Sequence, residues 1–120
     1  MKRRVLIIDD EEVIRDLLMD VIEEAGHEPV CAENGNVGLN LYKNNPAEFG
    51  LVILDIILPG MDGKEVFYKI KEINSEAKIM IISGFSKSEV MDELFISGIA
   101  GYIAKPFSIP ELNDMMKKLL

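Results

Sequence analysis

The sequence predicts an α/β domain, a five-stranded parallel sheet with five helices packed on its two faces. Three features predict it. Aliphatic runs such as Val5-Leu6-Ile7-Ile8 and Leu51-Val52-Ile53-Leu54 show no polar alternation, as strands covered on both faces require. Segments with apolar residues at helical spacing lie between such runs. The connections are short, which implies right-handed crossovers and an open parallel sheet. A length of 120 residues suits one such domain, residues 1–120, with a core of its own.

The first strand is Val5 to Ile8, stopped by Asp9. From Glu12 to Ala25 the apolar residues Val13, Ile14, Leu17, Leu18, Val21, Ile22 and Ala25 form a helical stripe, with acids opposite and Gly26 as terminator. Pro29 to Ala32 reads as a short strand, and Val37 to Lys43 as a helix weakened by Gly38 and nearby Asn residues. Leu51 to Leu54 is a buried strand ending in Asp55. Asp62 and Glu65, three apart, predict a capping box for a helix through Val66, Phe67, Ile70 and Ile73. Lys78 to Ile82 is the fourth strand. Ser86 and Glu89 predict a second box, for a helix closed by Gly98; Gly101 to Ala104 is the last strand, and Ser108 with Glu111 caps the final helix.

Composition excludes several classes of function. Hydrophobic residues make up 48% of the chain, which argues for a folded globule rather than disorder. The net charge of −8 opposes direct nucleic-acid binding, since neutralising a phosphate backbone needs clustered Lys and Arg. Cys31 is the single cysteine, so there is neither an intrachain disulfide nor a Cys-based zinc site, and a reducing, cytoplasmic setting is expected. No apolar run approaches the ~18 residues of a membrane span, so no contact with a membrane is expected. His27, the sole histidine, follows Gly26 and reads as a surface residue rather than a ligand, while Cys31 and the scattered Met residues read as core filling.

In parallel sheets of this kind ligands bind beyond the carboxyl ends of the strands, where the strand order reverses. Those ends deliver Asp9 and Asp10, Asp55, Ser83 and Lys105. Asp9, Asp10, Glu11 and Glu12 are four consecutive acids at a helix start, whose dipole supplies only about half a positive charge. With Asp55 beside them, the carboxylates repel one another unless a cation or protons enter. A hard divalent ion answers that, and Mg²⁺ takes one or two carboxylates, waters and phosphate oxygens. Asp9 and Asp10 could instead serve only as helix caps, and Glu11 and Glu12 read as solvated helix-start residues. A carboxylate such as Asp55 can be a nucleophile toward phosphorus, with Mg²⁺ and Lys105 offsetting charge on the acyl phosphate. Taken singly, each of these residues has a bland reading as a turn former or surface charge. Their joint placement carries the signal.

The run Val5-Leu6-Ile7-Ile8-Asp9-Asp10-Glu11, the segment from Leu54-Asp55 through Ile57-Leu58-Pro59-Gly60-Met61-Asp62-Gly63, Ser83-Gly84, and Tyr102 followed by Lys105-Pro106-Phe107 resemble the response-regulator receiver domains of two-component signalling, of the chemotaxis-regulator-like kind. The resemblance covers essentially the whole chain. It implies a flavodoxin-like strand order 2-1-3-4-5, a phosphoacceptor at Asp55, and Mg²⁺, with Mn²⁺ as a substitute, held by Asp10, Asp55, the Ile57 carbonyl and, mainly through water, Asp9. It further implies that Lys105 contacts the phosphoryl group, that Ser83 hydrogen-bonds its oxygen, that Gly84 leaves access, and that the Lys105-Pro106 peptide is cis. Tyr102 resembles the switch aromatic that turns inward as Ser83 is drawn to the phosphoryl group; a surface-facing amphipathic Tyr is compatible with the inactive state.

The resemblance also implies partners: a sensor histidine kinase or phosphotransfer protein as donor, a downstream output domain or protein, and a phosphorylation-dependent homodimer. The domain would be no enzyme beyond catalysing its own phosphorylation and dephosphorylation. Ser83 stands where the family often has Thr, which keeps the hydroxyl and loses a methyl. Ile57 and Phe85 flank the site at positions that influence water access in the family; both are apolar, which predicts a long-lived phosphoryl state. Three rivals stand beside this reading. A haloacid-dehalogenase-like phosphatase would place a second Asp where Ile57 stands. A flavin binder would need a phosphate-cradling loop after the first strand, where this chain has four acids. A phosphorylation-independent interaction module would need no chemistry at Asp55.

Overall fold

The apolar runs become strands because both of their sides have helices to bury against. The computed structural model describes residues 3–58, 60–84 and 89–120. Over these it contains β1 (Arg4–Ile8), α1 (Glu12–Glu24), β2 (Glu28–Ala32), α2 (Gly35–Asn44), a 3-10 turn (Pro46–Glu48), β3 (Phe49–Asp55), α3 (Gly63–Ile73), β4 (Ile79–Ser83), α4 (Glu89–Ile96), β5 (Gly101–Ala104) and α5 (Ile109–Leu119). All strand pairs are parallel, in the order β2-β1-β3-β4-β5.

Alternation along each strand divides the core into two layers. Val5 and Ile7 of β1 pack with Leu18, Val21 and Ile22 of α1 and Leu112 and Met116 of α5. Leu6 and Ile8 pack instead with Leu39 and Tyr42 of α2 and Val66, Phe67 and Ile70 of α3. Burying each Leu, Ile or Val in this way contributes roughly 1.5–3 kcal/mol. The same two-sided demand explains why β4 reads Ile-Met-Ile-Ile before Ser83, with all five residues buried.

Helix ends follow local chemistry. α1 stops in a Schellman turn, with His27 N–H donating to Ile22 O and Gly26 N–H to Glu23 O, both at 3.0 Å. α5 carries the expected capping box: Glu111 N–H donates to Ser108 Oγ and Ser108 N–H to a Glu111 carboxylate oxygen, each at 3.2 Å. At α3 the predicted box is one-sided, because the short Asp62 carboxylate accepts from Lys64 N–H at 3.1 Å. α2 begins two residues before its predicted start, since Asn34 accepts from Val37 N–H at 2.9 Å and acts as a cap rather than a breaker. The box predicted at Ser86, and Pro59 and Phe85 of the site loops, lie outside the described residues.

Some predicted core positions are not core. Val13, in the first turn of α1, is 77% exposed, because the buried stripe narrows to Leu18, Val21 and Ile22 where α1 crosses the sheet. Ala25 is exposed at the end of α1 and Cys31 only half-buried in the edge strand β2.

One contact fixes the loop after β3. Gly63 opens α3 so close to the strand end that an added Cβ would lie 2.6 Å from Asp55 O, Ile56 Cα and Ile56 O, all backbone atoms. Gly38, by contrast, meets only the Ile8 side chain, so the obstacle there is side chain and not backbone. Gly63→Ala is therefore expected to cost about 2 kcal/mol or more. Gly38→Ala should cost less, because the overlap is partly offset by up to ~1 kcal/mol of helix propensity. Urea unfolding followed by far-UV circular dichroism checks the order, and equal losses would contradict the backbone contact at Gly63.

Candidate functional site

Register brings the predicted residues together. Ile8 of β1 pairs with Leu54 of β3, so the next residues, Asp9 and Asp55, leave adjacent strands side by side. Ser83 of β4 pairs with Ala104 of β5, and the following Lys105 donates its N–H to Ser83 O at 2.8 Å. The order reverses between β1 and β3, so the site lies where the topological rule places it.

Lys105 Nζ sits among three carboxylates, 2.8 Å from Glu11 Oε1, 2.9 Å from Asp55 Oδ2 and 3.1 Å from Asp9 Oδ2. Asp9 and Asp55 are buried, as is Ser83. Asp55 Oδ1 accepts from Ile57 N–H at 3.0 Å, which orients the carboxylate. Carboxylate oxygens of Asp9, Asp10, Glu11 and Asp55 all lie within 4.8 Å of one another. A shallow open depression lined by Asp10, Glu11, Asp55, Ile57, Gly84 and Lys105 gives solvent access. The Lys105-Pro106 peptide is cis, as expected.

The charges are unequal. Burial holds the Asp9 carboxyl above its ordinary range, helped by repulsion from Asp55, although the Glu11 N–H and the Lys105 ammonium pull the other way. For Lys105 burial works toward neutrality, yet the hydrogen bonds it donates to Glu11 and Asp55 and its ion-pair contact with Asp9 outweigh it and keep the ammonium charged far above neutral pH. One ammonium faces four carboxylates. Asp9 Oδ2 makes the ion-pair contact with Lys105 at 3.1 Å without hydrogen-bond alignment, and is left as a buried oxygen lacking a hydrogen bond. An all-oxygen donor set with a buried, under-satisfied carboxylate oxygen fits a hard divalent cation.

The alternative of Asp9 and Asp10 as helix caps does not hold. α1 has Glu11 at its N-cap, with no side-chain cap bond; Asp9 Oδ1 accepts from Glu11 N–H at 2.9 Å, and Asp10 is exposed at the pocket. Glu11 is the correction to the sequence reading: it is not merely solvated but joins the cluster and holds Lys105. Its only sequence signal is a Glu at a position where caps favour Ser, Thr, Asp or Asn. Arg15, also unforeseen, donates to Asp9 O at 2.7 Å and steadies the β1–α1 turn. Tyr102 is half-buried, edge-on to Phe95 of α4 with ring centroids 6.0 Å apart. His27 accepts from Arg3 N–H at 3.0 Å, far from the acids. A larger cleft of about 530 Å³ opens between the ends of α1 and α5, lined by Glu24, His27, Asn113 and Lys117 among apolar neighbours, and none of the predicted site residues reaches it.

The profile of the response regulator receiver domain matches residues 5–117. The chain belongs to that family. Chemotaxis protein CheY of Halobacterium salinarum is 35% identical to this receiver over 120 residues, 100% of this chain and 98% of the relative. Sporulation initiation phosphotransferase F of Bacillus subtilis is 33% identical, over 100% and 95%. Among solved structures, the CheX-CheY-BeF3-Mg²⁺ complex from Borrelia burgdorferi matches with a TM-score of 0.91 and 26% identity, covering 97% of this chain and 87% of that one. The strand order of this receiver is the flavodoxin-like order its sequence implied.

In metal-free protein the cluster should cost stability. Asp10→Asn is expected to raise the unfolding free energy in chelator by roughly 0.5–1 kcal/mol, and less in high salt. Asp9 has a sign of its own. Its folded value is raised, so its contribution is fullest at low pH, below the unfolded value, and is lost as pH rises through the window between the two. Asp9→Asn should remove that part of the pH dependence. Destabilisation by Asp10→Asn in chelator would show that the acids do not repel.

Proposed function

We propose that this receiver accepts a phosphoryl group on Asp55 in a Mg²⁺-dependent reaction and changes its partner-binding surface in consequence. The observation that carries the reading is the bonding of Asp55, a buried carboxylate oriented by Ile57 N–H and paired with the Lys105 ammonium at 2.9 Å beside the Asp9 and Asp10 acids. A carboxylate oxygen of Asp55 would attack phosphorus as the bond to the donor breaks, leaving an acyl phosphate and releasing the donor's leaving group. Lys105 would offset charge on the phosphoryl oxygens. Asp9, Asp10, Asp55 and the Ile57 carbonyl would hold Mg²⁺, which when bound neutralises charge on the transferring group. Two relatives support this: one is named a phosphotransferase and another was solved with BeF3 and Mg²⁺.

The donor would be a sensor histidine kinase or phosphotransfer protein, and the catalysis would be confined to the domain's own phosphorylation and dephosphorylation. The setting would be cytoplasmic; among the described residues no helix is long and apolar enough to cross a membrane. The switch would run through Ser83, at the buried end of β4, and Tyr102, which touches α4 through Phe95. The acyl phosphate would bind one arrangement of these groups better than the other and shift the population toward it. The surface around α4, β5 and α5 would then meet an output domain or protein, or a second copy of the chain.

Incubation with acetyl phosphate and Mg²⁺ should add the mass of one phosphoryl group to the intact chain. Asp55→Asn, or excess chelator, should abolish the gain, and an unchanged gain in Asp55→Asn would refute the assignment. Mg²⁺ at a hundred times its dissociation constant should stabilise the fold by about 2.7 kcal/mol. The apolar Ile57 side chain at the pocket rim, 51% exposed, supports slow loss of the phosphoryl group. Rapid loss from purified protein in Mg²⁺ would contradict that part.

A further inference from the structure

We infer that Glu11 is a positioning residue for Lys105: it holds the ammonium at the α1 rim of the pocket, so that a divalent cation can take Asp9 and Asp55 without leaving a half-buried cation unpaired. This rests on the metal-dependent reading of the pocket and deepens it.

Glu11 occupies the N-cap of α1 yet spends nothing on capping. Its carboxylate reaches instead across 94 residues of sequence to Lys105 Nζ at 2.8 Å. A cap position normally takes a short Ser, Thr, Asp or Asn that satisfies the helix amides, so the longer Glu serves a different contact. The three carboxylates around Lys105 also differ in hydration. The Asp9 and Asp55 side chains are 2% and 5% exposed, and that of Glu11 is 57% exposed. The buried pair contributes oxygens that a metal would claim, whereas Glu11 stays solvated and free to follow the ammonium.

Lysine has three donors and no acceptor. With no metal, its ammonium makes ion pairs with all three acids. A dication at Asp9 and Asp55 repels it, and the Lys105 side chain is only 16% exposed, so full hydration in place is not available. Among the described residues Glu11 is then the carboxylate left within ion-pair reach. Its pairing lowers the cost of admitting the metal, and keeps Lys105 beside Asp55 instead of letting it swing into solvent.

The test is a double-mutant cycle on Mg²⁺ binding alone, by titration calorimetry of the full chain at neutral pH. Glu11→Gln should weaken Mg²⁺ binding about fivefold when Lys105 is present and less than about twofold in a Lys105→Met background. Glu11→Asp keeps the charge but shortens the arm by a methylene, and should resemble Glu11→Gln. Equal weakening in both backgrounds, no weakening in either, or wild-type affinity in Glu11→Asp would overturn the positioning role. Far-UV circular dichroism confirms that each variant is folded. Failure of the wild-type chain to bind Mg²⁺ would sink the phosphoacceptor reading itself, an outcome distinct from a cycle without coupling.

Discussion

One half-buried ammonium among four clustered carboxylates is the constraint on which the site depends. The arrangement would push itself apart on a floppy chain. It persists because the apolar strands beneath it are packed on both faces, so the repulsion is held by core burial. β1 and β3 set Asp9 and Asp55 in register, Gly63 lets α3 press against the backbone of Asp55 and Ile56, and the Ser83 carbonyl anchors the Lys105 amide. The strands beneath are buried and apolar up to the point where the charges meet, and the charge deficit there fits a hard divalent cation.

The pocket is also mechanically joined to one face of the molecule. Tyr102 lies in β5 two residues before the Ala104 that pairs with Ser83, and its ring meets Phe95 of α4 edge-on. On the other side α4 is tied to α3: Tyr68 bonds Glu93 at 2.8 Å and Ser97 at 2.9 Å, and Lys64 pairs with Glu93 at 3.0 Å. These polar ties are solvated and individually weak. Phe95 and Ile96 are 54% and 88% exposed beside them. In the proposed switch, a helix held by weak polar ties on one side and an aromatic contact on the other would be the element that shifts.

The sequence disclosed most where burial on two faces leaves a distinctive pattern. The aliphatic strands, the α1 stripe and the Ser108 cap are all local signals, and the topological rule then placed Asp9, Asp55, Ser83 and Lys105 at one end of the sheet. What it hid depends on side-chain reach between distant segments. The pairing of Glu11 with Lys105 has no periodicity to betray it, and a Glu in an acidic run reads as solvated. Val13 looked like core because its spacing fits the stripe, but spacing does not show where a helix runs past the edge of its partner. The cap at Asn34 went unread because the Asn side chains that disfavour a helix interior favour its start.

The most direct test of the central claim is chemical. Phosphorylated protein reduced with borohydride converts an acyl phosphate to homoserine, and peptide sequencing by mass spectrometry locates that residue. The account predicts homoserine at position 55 alone. Homoserine at Asp9, Asp10 or Asp62, or none at all in a chain that had gained a phosphoryl group, would contradict it.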